Sequence, residues 1–219
     1  MARSTEMSKS KILTVTAGVF LILAVNSFAL SLENRHQLEL NLGMWNQTTS
    51  NRTEIGLEGV TTSVGANGFV GGISYGYWLS EGWALNISVD GMLVDMNTHT
   101  GIYGVISKSS SISMIRMGFK MYFPYSTFEG KVRPYAKISA GPYIGNQSNT
   151  IAGLEVVVEE RTEAALGGQL GMGADFVIGN HFMTGILLGY NLMTDFDEPI
   201  GGSKNYSGPE FHFGFSYLF

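Results

Sequence analysis

Histidine and serine are the residues of this chain best suited to nucleophilic chemistry, because the chain has no cysteine. A base and a nucleophile two residues apart on one strand would project from the same face within reach of a hydrogen bond. None of the four histidines has a serine two positions later; they are His36, His99, His181 and His212. His212 and Ser216 would share a face but lie about 13 Å apart, too far for proton transfer. The sequence therefore predicts no nucleophile with its base.

One acid and one histidine near the end of the chain could form a pair. Glu210 and His212 are two residues apart, which places them about 6.6 Å from each other on one face of a strand. Such a pair could exchange a proton, but a lone pair of this kind more often has a structural role. We therefore assign no catalytic, cofactor-binding or metal-binding residues, and we expect no cofactor.

The elements that position these side chains are predicted from an alternation of apolar with polar or small residues. In the first such segment Leu38, Leu40 and Leu42 alternate with Glu39 and Asn41. A period of two is typical of a β-strand with one apolar face. Eight segments have this pattern, and they span residues 36–45, 69–79, 83–93, 113–123, 135–144, 166–176, 182–192 and 211–219. The sequence therefore predicts an all-β fold of eight antiparallel strands.

The N-terminus has the features of a secretory signal peptide. Basic residues precede an uncharged apolar run over residues 12–25, and Ser27 and Ala29 are small residues at the two positions that a signal peptidase reads. The run is shorter than the roughly 20 residues that a membrane-spanning helix needs. We therefore expect a signal peptide over residues 1–29, cleaved after Ala29, and one domain over residues 30–219. Its removal leaves a net charge of −7, which argues against nucleic acid as a partner.

Export and aromatic content favour a membrane barrel over a soluble one. After residue 29 no segment is long and apolar enough for a membrane helix, so a chain that crosses a membrane would do so as a closed barrel. A soluble barrel or sandwich would have to bury eight aromatic-rich faces in a small interior, whereas lipid accepts them on the outside. The sequence therefore predicts an eight-stranded antiparallel up-and-down transmembrane β-barrel, and we expect it to be monomeric.

The last predicted strand carries the motif of a known protein family. Residues 211–219 read FHFGFSYLF, in which alternate aromatic residues end in a terminal phenylalanine. This segment resembles the closing strand of bacterial outer-membrane proteins, and residues 173–190 resemble the penultimate hairpin of small barrels related to OmpA, OmpX and OmpW. The resemblance implies a bacterial outer-membrane protein that contacts outer-membrane lipids and lipopolysaccharide and is inserted by the barrel-assembly machinery. The residues of the implied assembly signal are Phe211, Phe213, Phe215, Tyr217 and Phe219.

Charged residues lie on the strand faces opposite the apolar ones and would point into the barrel. Three are acidic and three are basic: Glu39, Asp90, Asp175, Arg116, Lys120 and Lys137. An eight-stranded barrel has room for little more than its own side chains, and a buried charge without a partner is costly. We therefore predict an ion-paired network that fills the bore. A narrow conduit for a small solute is the alternative.

The connections between the predicted strands differ in length. Those after the second, fourth and sixth strands are short, and those after the first, third, fifth and seventh are long, as in barrels with short periplasmic turns and longer outer loops. The charged residues assigned to the long loops are Glu54, Glu58, Asp95, Glu155, Glu159, Glu160, Glu163, Asp195, Asp197 and Glu198, with Arg52, Lys108, Arg161 and Lys204. Simple solvation of the loops accounts for these charges. The alternative is that divalent cations bound by these carboxylates bridge them to anionic lipid.

These features predict a structural or surface-interaction role through acidic outer loops, without catalysis. The first alternative is a channel of OmpW type for small solutes or hydrophobic compounds, which would need a continuous gap between Arg116 and Asp175. The second is a lipid-modifying outer-membrane enzyme, which would need a hydroxyl group from another strand beside His212.

Overall fold

Eight antiparallel strands close into a barrel in chain order. The structure is a computed structural model, described over residues 32–48, 67–101, 104–123, 131–152 and 156–219. The strands are β1 (His36–Asn46), β2 (Asn67–Ser80), β3 (Trp83–Gly101), β4 (Gly104–Tyr122), β5 (Val132–Ala152), β6 (Val156–Ile178), β7 (Phe182–Met193) and β8 (Gly208–Leu218). Because β8 pairs with both β7 and β1, the sheet closes on itself. The predicted up-and-down barrel is confirmed, and the described residues include no helix long and apolar enough to cross a membrane.

The alternation of residue types places apolar side chains on the outside of the barrel and polar ones on the inside. On β1, Leu38, Leu40 and Leu42 are exposed, whereas Glu39 and Asn41 between them are buried. Exposed apolar residues recur on all eight strands and form what we call the apolar belt: Leu38, Leu40, Leu42, Met44, Phe69, Ile73, Leu79, Ile87, Val89, Leu93, Ile115, Met117, Phe119, Ile138, Leu166, Leu170, Met172, Ile186, Leu188, Leu192, Phe211, Phe213 and Phe215. An exposed apolar surface of this extent requires a lipid environment.

Four consecutive strands are longer than the other four. β3 to β6 have 19 to 23 residues, whereas β1, β2, β7 and β8 have 11 to 14. β3 pairs with β4 up to Gly101 and Gly104, and β5 pairs with β6 up to Ala152 and Val156. The long connections expected after the third and fifth strands are therefore wrong, because most of these segments continue as paired strands. Long connections do follow β1 and β7.

This correction moves several charged residues from loops to strands. Asp95 lies in β3 and Lys108 in β4. Four more lie in β6: Glu159, Glu160, Arg161 and Glu163. Asp195, Asp197, Glu198 and Lys204 lie in the connection after β7 as expected. The other loop residues, Arg52, Glu54, Glu58 and Glu155, lie outside the described residues, as do the predicted signal peptide and the side chain of His99.

The interior contains a polar layer between two apolar clusters. The loop-end cluster lies at the end with the long connections and comprises Trp45, Val70, Met92, Ile112, Met114, Tyr143, Ala165, Met193, Phe196, Ile200 and Tyr206. The turn-end cluster lies at the opposite end and comprises Leu32, Trp78, Ala84, Tyr122, Tyr135, Met183, Leu187 and Leu218. Residues before β1 and after β7 complete these clusters, so the chain itself covers both ends of the polar layer.

Candidate functional site

The polar layer holds all six charged residues that the sequence places in the bore, and each of them is buried. Two further buried side chains join them, Glu210 and His212 on β8. The spacing of Glu210 and His212 indicates a pair, but nothing in their spacing predicts that this pair would meet the other charges. Their proximity depends on the closure of β8 against β1, which brings the end of the chain to its beginning.

Arg116 links opposite walls of the barrel. Its Nη2 lies 2.8 Å from Asp90 Oδ2 on the neighbouring strand β3, and its Nη1 lies 3.8 Å from Glu210 Oε1 on β8. β4 and β8 are not neighbours in the sheet, so the second contact crosses the bore. Glu210 in turn accepts a hydrogen bond from Gln169 on β6 and lies 3.0 Å from His212 Nε2. This group of side chains therefore connects four strands through the interior.

Lys120 makes a second set of contacts across the bore. Its Nζ lies 2.9 Å from Glu39 Oε2 on β1 and 3.6 Å from Asp175 Oδ2 on β6. Asp175 also accepts a hydrogen bond of 2.6 Å from the hydroxyl group of Tyr122. The ammonium group lies 4.7 Å from the centre of the Tyr135 ring, which adds a cation–π contact. Because β1, β4 and β6 are separated in the sheet, Lys120 also spans the interior.

Lys137 is buried like Lys120 but forms no ion pair with any described residue. It lies directly opposite Lys120 in the pairing of β4 with β5, and opposite Gly171 in the pairing of β5 with β6. Within the described part of the chain, no carboxylate lies at ion-pair distance from its ammonium group. The structure therefore joins five of the six predicted residues in ion pairs and leaves Lys137 beside them.

The histidine and serine side chains of β8 do not form a base and nucleophile. His212 is buried, and among the described residues its side chain bonds only Glu210. The Ser216 hydroxyl accepts a hydrogen bond of 2.8 Å from Gln37 Nε2 instead. No hydroxyl group from another described strand lies within hydrogen-bond distance of His212. The geometry thus lacks the contact that hydroxyl-based catalysis at His212 would need.

The connection between β7 and β8 covers the loop end of the barrel. Its side chains Phe196, Ile200 and Tyr206 are buried in the loop-end cluster. Two of its acidic side chains have protein partners: Glu198 lies 3.7 Å from Arg161, and Asp195 accepts a hydrogen bond of 2.7 Å from Asn205. The described residues contain no group of three or more side chains that could hold a metal ion. The alternative of a cation bridge therefore has no support among the described residues of this connection.

The aromatic residues of the predicted assembly signal face outward along β8. Phe211, Phe213, Phe215 and Tyr217 are all exposed, and Phe182 on β7 packs against the rings of Phe215 and Tyr217. The last residue is fixed by backbone hydrogen bonds between Phe219 and His36, with donor–acceptor distances of 2.8 and 2.9 Å. The signal residues thus lie on the surface of the strand that closes the barrel.

A closed barrel with an apolar exterior and an ion-paired interior is a transmembrane β-barrel. Residues 15–219 match the family described as outer membrane protein beta-barrel domain, and the chain belongs to that family. Membership places the chain in the bacterial outer membrane. The family predicted from the closing strand is therefore confirmed.

The similarity to one solved structure, Ail, supports this assignment at the level of the fold. Ail, the attachment invasion locus protein of Yersinia pestis, is 13% identical; the alignment covers 85% of this chain and 99% of Ail, with a TM-score of 0.52. Neisserial surface protein A is 14% identical over 84% of this chain and 96% of that chain, with a TM-score of 0.49. OprG from Pseudomonas aeruginosa is 12% identical over 88% and 99%, with a TM-score of 0.46. No curated protein matches the chain.

Proposed function

We propose that this outer-membrane barrel has a non-catalytic, surface-interaction role, and that it acts through the long strands that extend from its loop end. The observation that carries the proposal is the difference in strand length. We call the extended part the protruding sheet; it comprises residues 95–101 of β3, 104–110 of β4, 147–152 of β5 and 156–165 of β6. In family members the end with long connections faces the cell surface.

The protruding sheet begins where the pairing with the shorter strands stops. On one side, the last pair of β2 with β3 is Val70 with Met92, and a β-bulge follows between Leu93 and Asp95. On the other side, the pairing of β6 with β7 stops at Gly167. From residue 156 to 165, β6 runs about 33 Å along its own axis without a β7 partner. The barrel thus carries a sheet with its own edges.

The β6 edge of the protruding sheet can pair with another chain. In the described part of the structure its backbone bonds only to β5, and Glu159, Glu160 and Arg161 are exposed. An unpaired strand edge is a template for an added strand. The edge carries Glu159, Glu160 and Glu163 against Arg161, so it favours a partner segment with basic residues. The acidic surface expected on loops is here proposed to act as a strand edge.

The net negative charge of the β6 edge favours a basic partner over a polyanion. Ail was crystallised with the heparin analogue sucrose octasulfate, which carries many sulfate groups. An acidic edge repels such a ligand, and an identity of 13% transfers only the fold. We therefore propose an extended, basic polypeptide segment as the partner of this chain.

The interior supports a closed barrel over the channel alternative. A channel would need a continuous gap between Arg116 and Asp175. The ion pairs of Lys120 with Asp175 and of Arg116 with Glu210 cross the bore in this space. Apolar side chains cover this layer at both ends. We expect the protein in a planar bilayer to show no steady ion conductance. Stable single-channel openings of the wild-type protein would refute the closed bore.

The burial of His212 disfavours the enzyme alternative. His212 bonds Glu210 inside the barrel and has no hydroxyl partner among the described residues, so neither a nucleophile nor an access route for a lipid substrate accompanies it. We expect His212→Ala to leave the acylation pattern of the host's outer-membrane lipids unchanged. A change in that pattern between the wild-type protein and the variant would support the enzyme instead.

The surface role can be tested with a synthetic peptide that resembles the proposed partner. The full barrel, reconstituted in nanodiscs, is titrated with a decapeptide of alternating lysine and valine and with a matched peptide of alternating glutamate and valine. In one variant Asn-Gly replaces residues 148–160, which removes the tip of the β5–β6 hairpin. In the control variant Asn-Gly replaces residues 98–107, which shortens the β3–β4 hairpin and retains the β6 edge.

We expect the basic peptide to bind the wild-type protein, more weakly at high salt, and the acidic peptide not to bind. Removal of the β5–β6 tip should weaken binding at least tenfold, whereas the β3–β4 control should retain it. Unchanged binding after removal of the β5–β6 tip would refute the proposed edge. Heat-modifiable migration in detergent gels confirms that each variant remains a folded barrel.

A further inference from the structure

The backbone of the β6 edge presents hydrogen-bonding groups at every second residue. Just below this edge, the C=O of Leu166 accepts the N–H of Thr194 at 2.8 Å, and the Leu166 N–H donates to the Thr194 hydroxyl group at 3.2 Å. After Thr194 the connection bonds to itself, since the N–H of Phe196 donates to the C=O of Lys204. The polar backbone groups of successive residues point to alternate sides of a strand. Those that point to the same side as Leu166 belong to Ala164, Thr162, Glu160 and Val158.

The side chains of the β6 edge carry alternating charges on one face. Ala165 is buried in the loop-end cluster, and every second residue shares its face. This inward face of the edge carries Glu163, Arg161 and Glu159, whose charges are negative, positive and negative. An antiparallel strand added to the edge would meet these three residues in its non-hydrogen-bonded pairs, in which the Cα atoms are about 4.5 Å apart and the side chains are closest. The inward face therefore has the greatest effect on which charges a partner can carry.

We propose that the β6 edge selects an antiparallel segment that has two cations four residues apart and an acidic residue midway between them. The cations face Glu163 and Glu159, and the acid faces Arg161. An antiparallel strand continues the pairing that β7 makes with β6. Arg161 also lies 3.7 Å from Glu198, but both side chains are about half exposed, and a guanidinium group has donors for a second carboxylate. This inference rests on the proposed surface role and specifies the partner of the same edge.

The alternating charges also fix the position of such a segment along the edge. A displacement by two residues in either direction places a cation opposite Arg161 and the acid opposite Glu159 or Glu163, and like charges opposite each other are destabilising. A displacement by one residue moves all three charges to the outward face, where Glu160 alone among the even-numbered residues of the edge is charged. Only one position therefore pairs all three charges favourably.

Two peptides that differ only in the central residue test this charge pattern. The full barrel in nanodiscs is titrated with TVKTEKKVT and with TVKTKKKVT, whose central residues would face Arg161. In one variant, Arg161→Glu makes all three charges of the inward face negative. Lys108→Glu is the control, because it changes the net charge of the protruding sheet equally but lies on β4, which is paired on both sides. Heat-modifiable migration shows that each variant is folded.

The wild-type protein and the Lys108→Glu control should bind the peptide with the central glutamate about threefold more tightly, although that peptide carries less positive charge. Arg161→Glu should reverse the preference by a similar factor. Tighter binding of the lysine peptide by the wild-type protein, or a preference that Arg161→Glu does not reverse, would overturn the charge pattern and leave the surface role intact. If neither peptide binds the wild-type protein, the surface role itself fails, and this inference fails with it.

Discussion

Replacement of Lys120 by methionine should destabilise the barrel far more than the same replacement of Lys137. The two lysines are paired neighbours on the adjacent strands β4 and β5, and both are buried. Methionine has a volume similar to that of lysine and carries no charge. Lys120 lies 2.9 Å from Glu39 and 3.6 Å from Asp175, whereas Lys137 has no ion pair among the described residues. The comparison therefore isolates the ion pairs from lysine burial.

The expected difference follows from the charges that remain. Lys120→Met leaves the carboxylates of Glu39 and Asp175 in the interior without their shared cation, and loss of one partner from a buried pair costs about 3–5 kcal/mol. Lys137→Met removes a positive charge that lies next to Lys120 and leaves no carboxylate without an ion-pair partner. We expect it to change the free energy of unfolding by less than about 1 kcal/mol, or to raise it.

The measurement is equilibrium unfolding in urea of the protein refolded in lipid vesicles, followed by tryptophan fluorescence and by migration in detergent gels. The triple variant Lys120→Met, Glu39→Gln, Asp175→Asn removes all three charges and should recover most of the loss caused by Lys120→Met. Equal effects of Lys120→Met and Lys137→Met would refute the reasoning, because they would show that lysine burial rather than pairing determines stability.

Three further results are expected. Gly185→Ala should lower the free energy of unfolding by about 1–3 kcal/mol, because a Cβ at position 185 would lie 2.2 Å from Asp175 Oδ1, whereas Gly91→Ala should be nearly neutral because its nearest atom would lie 3.9 Å away. Deletion of Phe219 should reduce the yield of folded barrel in cells several-fold while refolding in detergent changes less; equal losses in both would contradict recognition of the last residue during assembly. Glu81→Ala removes the acceptor of the Leu32 N–H and the partner of Arg133, but Glu81 is half exposed, so a loss of more than about 1 kcal/mol in the urea assay would be unexpected.

The eight strands could be predicted because the two faces of each strand lie in different environments. Leu38 and Leu40 face lipid while Glu39 between them faces the interior, and this contrast produces a period of two in the sequence. The protruding sheet lacks the contrast. Residues such as Ser148 and Asn149 on β5 are polar in succession, so a segment rich in them is indistinguishable from a loop by periodicity. The two expected loops were wrong for this reason.

The composition of the interior could be predicted, but its pairing could not. Alternation alone places Lys120 and Lys137 on the inward face. Which of them meets a carboxylate depends on the stagger of the strands and on closure by β8, and neither is encoded in local spacing. The same dependence explains why Glu210 joins Arg116, since residues 94 positions apart meet only after the barrel has closed.

The abundance of glycine has a physical cause in the same network. Asp90 and Asp175 each lie beside a glycine on the next strand: a Cβ at Gly72 would lie 2.4 Å from Asp90 Oδ1, and one at Gly185 would lie 2.2 Å from Asp175 Oδ1. Any side chain at these glycines would occupy the space that the carboxylate needs to reach its cation. An eight-stranded bore can hold ion pairs that span its width only if other inward positions give up their side chains. Gly72 and Gly185 are therefore part of the same feature as the charged residues beside them.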